Sequence, residues 1–301
     1  MSVEFEHLIG LNTVPAGVLF HPNGQKYVYS SGANVIIGDL TDSHSQIFFR
    51  YHDDFVTSLC LSPSGNLVAS GQRGSNSNIY VWDFNTQEVL YCFEEHDHMV
   101  QNVAFSFDEK LLVSIGNQED GKLIVWDMSS GNIVASSGKL PTGTSCLAHG
   151  GFVKDIKRRD TQNYLFVTAG ADGFMFWNLD PYRGEFESSK LVGDARTTVL
   201  RNVRDISFSD DREHVFGSTT SGDYIIVNVK HQRVLQAVTA TKTGVDCILT
   251  YNAGVIIGCG DSTIKYFNES NVLVGTTQLD GRVISLSFSS DRLEVRTTFT
   301  P

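Results

Sequence analysis

Proline is scarce, six residues in 301, and no tract is low in complexity or disordered in composition. No apolar run reaches the length that spans a bilayer. The opening MSVEFEHLIG lacks the basic and apolar regions of a secretory signal. Basic residues are outnumbered, 23 Lys and Arg against 34 Asp and Glu, for a formal net charge of −11. General attraction to nucleic acid or to an anionic membrane is therefore not expected. The five cysteines, Cys60, Cys92, Cys146, Cys247 and Cys259, are odd in number, and none has the close spacing of a redox or zinc motif. Buried free thiols in a reducing compartment are expected, and the sequon Asn268-Glu269-Ser270 is expected to be unused. GxxxxGK[ST], HExxH and GxSxG are all missing, so no cofactor or metal is expected. No long segment has helical periodicity, which disfavours α/β enzyme folds.

What the chain does have is a repeat. A recurring apolar position falls at Val18, Val56, Val100, Val153, Val203, Val245 and Val283, in steps of roughly 38 to 53 residues. An alternating stretch follows most of these, as in VTSLCLS, VQNVAFS, VRDISFS and VISLSFS, and alternation at period two marks a strand with one buried face. Then come a polar turn, a second strand (NLVASG, KLLVSIG, GVIIGCG), a tight turn, a third strand (NIYVWDF, KLIVWDM) and a weaker fourth. Four short antiparallel strands cannot bury both faces alone, but neighbours packed radially cover each other. The expectation is an all-β, seven-bladed β-propeller over residues 1–301 with its last blade incomplete, and Glu4 to Leu11 supplying an outer strand there.

SIGNQEDGKLIVWD, with His96 upstream, raises the question of catalysis, because Ser, His and Asp can form a nucleophilic triad. The arrangement recurs, however. His96, Ser114, Asp120 and Trp126 are matched by His52, Ser70 and Trp82 without the turn Asp, and by His149, Thr168, Asp172 and Trp177. A catalyst is needed once, whereas a structural element repeats. These residues are expected to form buried hydrogen-bonded chains from carboxylate to imidazole to hydroxyl to indole. Blades five to seven lack the His and are expected to rely on strand pairing and apolar packing.

This pattern identifies WD repeats. LIGLNTVPAGVLFHPNGQKYVY, LVASGQRGSNSNIYVWDF and LLVSIGNQEDGKLIVWDM further resemble the ciliary family called cilia- and flagella-associated protein fifty-two, also WD-repeat protein sixteen. The Ser70-Gly71-Gln72 element is also similar to one in the echinoderm microtubule-associated-protein-like family. The ciliary resemblance implies a non-catalytic scaffold in the cytoskeleton, at the axoneme of cilia or flagella, with tubulin or other axonemal proteins as partners. It also implies a second propeller after this one. A monomer is expected. A ubiquitin-ligase substrate receptor would need a recruiting element outside the ring. A propeller enzyme would need convergent acids or His in the channel. Neither is evident in the sequence.

Propellers bind partners through loops at the ends of the ring, since blade packing consumes the strand faces. Arg50, Tyr51, Phe55, Arg73 and Met99 fall in loops of one end, and the apolar ones suit an interface core. Lys154, Lys157, Arg158 and Arg159 form a basic cluster expected at the opposite end, where it could face an acidic surface.

Overall fold

The computed structural model describes residues 8, 10–12, 17–138, 140–157, 159–191, 202–288 and, for the backbone, 295–300. Strands account for nearly all of its regular structure. The first blade comprises β1 (Val18–Phe20), β2 (Lys26–Ser31), β3 (Asn34–Asp39) and β4 (Gln46–Phe49). The second comprises β5 (Val56–Leu61), β6 (Leu67–Gln72), β7 (Ser77–Asp83) and β8 (Val89–His96). The third comprises β9 (Val100–Phe105), β10 (Leu111–Gly116), β11 (Leu123–Asp127) and β12 (Ile133–Ser137). The fourth comprises β13 (Thr144–Lys154), β14 (Asp160–Gly170), β15 (Gly173–Asp180) and β16 (Glu185–Lys190). The fifth comprises β17 (Val203–Phe208), β18 (His214–Thr219), β19 (Asp223–Asn228) and β20 (Arg233–Thr239). The sixth comprises β21 (Val245–Tyr251), β22 (Gly254–Cys259), β23 (Thr263–Phe267) and β24 (Leu273–Gln278). The hairpin β25 (Arg282–Phe288) and β26 (Val295–Thr300) follows.

Every blade is an antiparallel meander in sequence order. Innermost strands β5, β9, β13, β17, β21 and β25 pack in succession, and β25 also meets β1, which closes the ring around a channel. Six apolar seams lie between successive sheets. Alternation along each strand sends one set of side chains to the preceding blade and the other to the next. Thus Val167, Phe174 and Phe176 of the fourth blade meet Val203, Ile225 and Val227 of the fifth.

The expectation of seven blades is corrected. Among the described residues six sheets have four strands, and the seventh position holds a two-stranded sheet. Counting repeats by their innermost strand overcounts blades, because that strand alone does not build the outer half. The consequence shows at the last seam. Tyr224 and Ile226 of the fifth blade are buried by the sixth, whereas Ile264 and Tyr266, on the corresponding face of the sixth, remain half-buried beside β25. Glu4 to Leu11 falls mostly outside the described residues. Its Leu8 bonds Gln46 of the first blade, its N–H donating to Oε1 at 2.8 Å.

The cysteines are free. Cys146, Cys247 and Cys259 are buried, Cys60 is half-buried and Cys92 is exposed on β8, so the expected burial does not extend to all five.

Candidate functional site

The third blade assembles its chain completely. Asp120 Oδ2 lies 2.6 Å from His96 Nδ1, His96 Nε2 lies 2.8 Å from Ser114 Oγ, and Trp126 Nε1 donates to the same oxygen at 3.0 Å. The carboxylate sets the tautomer: Nδ1–H donates to Asp120, so Nε2 accepts from the Ser114 hydroxyl. Asp120 also accepts the Asp97 N–H at 2.9 Å. Burial works to raise its pKa, but the bonds from His96 and Asp97 prevail and hold it below the ordinary carboxylate value. Gly116 is required alongside, because a Cβ there would stand 1.7 Å from Asp120 Oδ2.

Ser, His and Asp are thus in the order of a triad, yet Ser114 has no exposed surface and its hydroxyl is held between indole and imidazole. No substrate carbonyl can reach it. Removal of the carboxylate in Asp120→Ala is expected to destabilise the fold by roughly 1–3 kcal/mol, measured by urea denaturation, because the His96 N–H loses its buried acceptor. Asp172→Ala should leave the denaturation midpoint unchanged, for the reason given below.

The second blade solves the missing-Asp problem from another direction. His52 Nδ1 lies 2.8 Å from Gln72 Oε1, and the Gln72 amide in turn donates to Asp53. His52 Nε2 contacts Ser70 Oγ at 2.7 Å, which accepts from Trp82 Nε1 at 3.2 Å. Gln72 was legible in the sequence only as part of a family-like Ser-Gly-Gln element, since it comes from the end of β6 rather than from the turn. Burial pushes the His52 pKa down to about 4.

In the fourth blade the expected chain is not formed. Trp177 Nε1 donates to Thr168 Oγ1 at 3.0 Å, but His149 and Asp172 do not join it. His149 lies within β13, paired with Phe166, rather than in a loop before the strand. It sits among Phe107, Tyr164 and Phe166, and its Nε2 is buried without a partner. Asp172 is exposed in the short turn closed by the Gly170–Gly173 pair. The cause is register. Thr144 pairs with Gly170 as Val100 pairs with Gly116, so Thr144, and not Val153, occupies the repeat position. Val153 lies near the far end of a strand that overshoots the ring.

The fifth and sixth blades are not left to packing alone. Four residues before Val245, Thr241 stands where other blades carry His, and its hydroxyl donates at 2.7 Å to Asp261, which also accepts from Thr263 at 2.5 Å. In the fifth blade Asp223 accepts from Thr219 and from Ser221, the latter at 2.7 Å. The turn carboxylate persists while hydroxyls replace imidazole as donors.

The loop residues separate by end. Innermost strands run from the repeat position toward the β5–β6 and β13–β14 turns, so Phe55, Arg73 and Met99 lie at one end and Lys157 and Arg159 at the other. Arg73 lies over the Phe55 ring at 4.4 Å, pairs with Asp54 at 3.0 Å and bridges to Met99. Tyr51, 59% exposed, rests its edge against Trp82 at 4.8 Å, and Arg50 lies over Phe48 at 5.2 Å. Arg159 is held by Asp155 at 2.8 Å, Lys154 donates to the Asp211 carbonyl at 3.3 Å, and Arg158 lies outside the described residues. Lys157 makes no ion pair among the described residues.

The channel, with a cavity of ≈ 900 Å³, does carry acids that the sequence had not suggested. Asp246 receives Arg282 through two bonds of 2.7 Å and also Arg204. Asp205 accepts the Ile206 and Ile248 N–H groups at 2.9 Å each. Burial outweighs those bonds and raises its pKa to about 7.

The WD domain, G-beta repeat family model matches residues 43–83 and 87–127. These spans contain Trp82-Asp83 and Trp126-Asp127. Cilia- and flagella-associated protein 52 of Chlamydomonas reinhardtii is 28% identical over 283 residues, covering 91% of this chain and 43% of that relative. The Bos taurus protein of the same name is 27% identical over 301 residues, covering 97% of this chain and 46% of the relative. Mitogen-activated protein kinase-binding protein 1 of Mus musculus is 26% identical over 149 residues, 47% of this chain and 9% of that protein. The chain therefore spans less than half the length of each of these relatives.

Proposed function

From a WD-repeat β-propeller whose sequence is similar, over most of its length, to cilia- and flagella-associated protein 52, we propose a non-catalytic scaffold of the cilium or flagellum. It binds other proteins of the axonemal cytoskeleton through the ends of its ring. The observation that carries this reading is the similarity to two relatives of that name across 91% and 97% of the chain. The buried state of Ser114 supports the non-catalytic part, since the Ser-His-Asp arrangement of the third blade is closed to substrate. Strand faces are consumed in the seams, which leaves loops and turns for partners.

Tubulin is the partner proposed for the β13–β14 turn. An acidic tubulin surface complements Lys157, Arg158 and Arg159; Lys157 and Arg159 are exposed, and exposed charges contribute modestly and weaken with salt. The protein is expected to co-sediment with doublet microtubules, and replacement of those three residues by Ser should weaken binding about threefold to tenfold at low salt. Unchanged binding removes the turn from the contact. Exclusive localisation of a tagged copy to the nucleus of a ciliated cell overturns the scaffold reading itself.

A further inference from the structure

The strands β13 and β14 have eleven residues each, against six in β17 and β18 of the next blade. The fourth blade's hairpin therefore runs past the end of the ring. Phe152 pairs with Tyr164 and Lys154 with Asp160, which leaves Val153 alone opposite Thr161, Gln162 and Asn163. Three residues facing one form a bulge that interrupts the ladder before the tip. None of the described residues from Lys154 to Asn163 is buried, and Ile156 is 93% exposed. The tip is held by polar bonds. The Asp155 N–H donates to the Arg159 carbonyl at 2.8 Å, Arg159 pairs with Asp155, and the Thr161 hydroxyl donates to the Val153 carbonyl at 2.7 Å. A segment with no buried side chain opens at low cost, so the tip can unfold locally while the ring stays closed.

The sequence of this tip is Lys157-Arg158-Arg159-Asp160-Thr161. Protein kinases that select basic substrates hold guanidinium groups three and two residues before the acceptor hydroxyl with carboxylates of their own. In this chain an Arg precedes a Ser or Thr by three residues at Thr161, Ser207 and Ser285, and of these only Thr161 has a second Arg two residues before it. Position in the fold makes the same choice. Ser207 and Ser285 lie on the innermost strands β17 and β25, and Ser285 is 6% exposed. A kinase takes its substrate as an extended segment, and neither innermost strand can be drawn out without opening the ring. Thr161 lies outside it.

We propose that Thr161 is a phosphorylation site for an arginine-directed protein kinase, and that the phosphate switches off the basic turn. The phosphoryl donor is ATP with its magnesium ion. The bond from the γ-phosphorus to the bridging oxygen breaks, Thr161 Oγ1 bonds to that phosphorus, the hydroxyl proton passes to the kinase's catalytic carboxylate, and ADP leaves. Thr161 then has no hydrogen for the Val153 carbonyl, so the tip loses one of its bonds. Between Lys154 and Asp160 four cations stand against two carboxylates, and a phosphate of about −2 cancels that excess. The acceptor site stands by itself. The switch rests on the tubulin contact proposed above, because it acts by neutralising the same turn.

The test incubates the whole chain with ATP and the catalytic subunit of cyclic-AMP-dependent protein kinase, and maps the phosphate by mass spectrometry. One phosphate per chain is expected, on Thr161, kept in Thr161→Ser and lost in Thr161→Ala. Arg158→Ala combined with Arg159→Ala should lower kcat/KM at least about tenfold with an unchanged melting temperature of the ring. No incorporation, incorporation at Ser207 or Ser285 instead, or a rate indifferent to the two arginines overturns the acceptor site. Co-sedimentation with doublet microtubules at low salt then tests the switch. The phosphorylated chain should bind about as weakly as the protein with Lys157, Arg158 and Arg159 replaced by Ser. Should that triple variant bind weakly and the phosphorylated chain bind as the parent does, the switch is wrong. Should the triple variant itself bind as the parent does, the tubulin contact fails and the switch with it, while phosphate on Thr161 still establishes the acceptor site.

Discussion

Trp82→Ala is expected to destabilise the protein by roughly 3–5 kcal/mol, the loss usual for a fully buried aromatic. Trp82 has no exposed surface, and its ring packs 4.4 Å from Phe49 of the first blade and 4.8 Å from Tyr51. It is both the wedge between two blades and the terminal donor of the second blade's polar chain. Trp82→Phe separates these roles. It keeps most of the packing and removes only the N–H that reaches Ser70, so a loss of about 1–2 kcal/mol is expected. Urea denaturation of both variants beside the parent chain measures the difference. Equal losses would show that packing is irrelevant at this seam, contrary to its assignment here.

Acid is expected to weaken the fold well before the ordinary carboxylates titrate. His52 and His149 are both held neutral by burial, with pKa values of about 4 in the folded state against an ordinary value of 6.5. Between these values the unfolded chain binds a proton at each histidine and the folded chain does not, so stability falls as pH falls. Each such displacement corresponds to about 3 kcal/mol. Asp205 acts in the opposite sense. Its folded pKa of about 7 lies above the ordinary carboxylate value of 3.8, so the folded state binds the extra proton across that window and gains stability as pH falls. One carboxyl offsets one of the two histidines, leaving a net loss of about 3 kcal/mol from about pH 6.5 to about pH 4. His149→Phe, at a site already lined by aromatic rings, should flatten the profile over that window. A stability curve that is level for the parent chain, measured by denaturant titration at several pH values, would remove this linkage.

His149 also shows why part of the third-to-fourth blade boundary was illegible. VKDIKRR alternates as a first strand does, and HGGF places a histidine four residues before Val153. Both features fit the repeat, but they belong to the overhang of a longer strand. The true repeat position, Thr144, is polar and gave no apolar signal. In the second blade Gln72 replaced the turn carboxylate from an adjacent strand, which no fixed spacing would reveal. The third blade obeyed both the spacing and the turn length, and there His96, Ser114, Asp120 and Trp126 were readable directly.

By itself the sequence determined the class of fold, because alternation at period two, broken by turns and repeated along the chain, admits short antiparallel strands and little else. It also determined which side chains recur in equivalent places. Only the tertiary structure decided where each polar chain ends, since hydrogen bonds are directional and a shift of one pairing moves a side chain to the opposite face. It decided as well that the last sheet has two strands, that Asp246 gathers Arg204 and Arg282 from other sheets at the channel, and that a groove opens beside β13. These depend on distances between segments remote in the chain, and on the relative lengths of neighbouring strands, which no local pattern records.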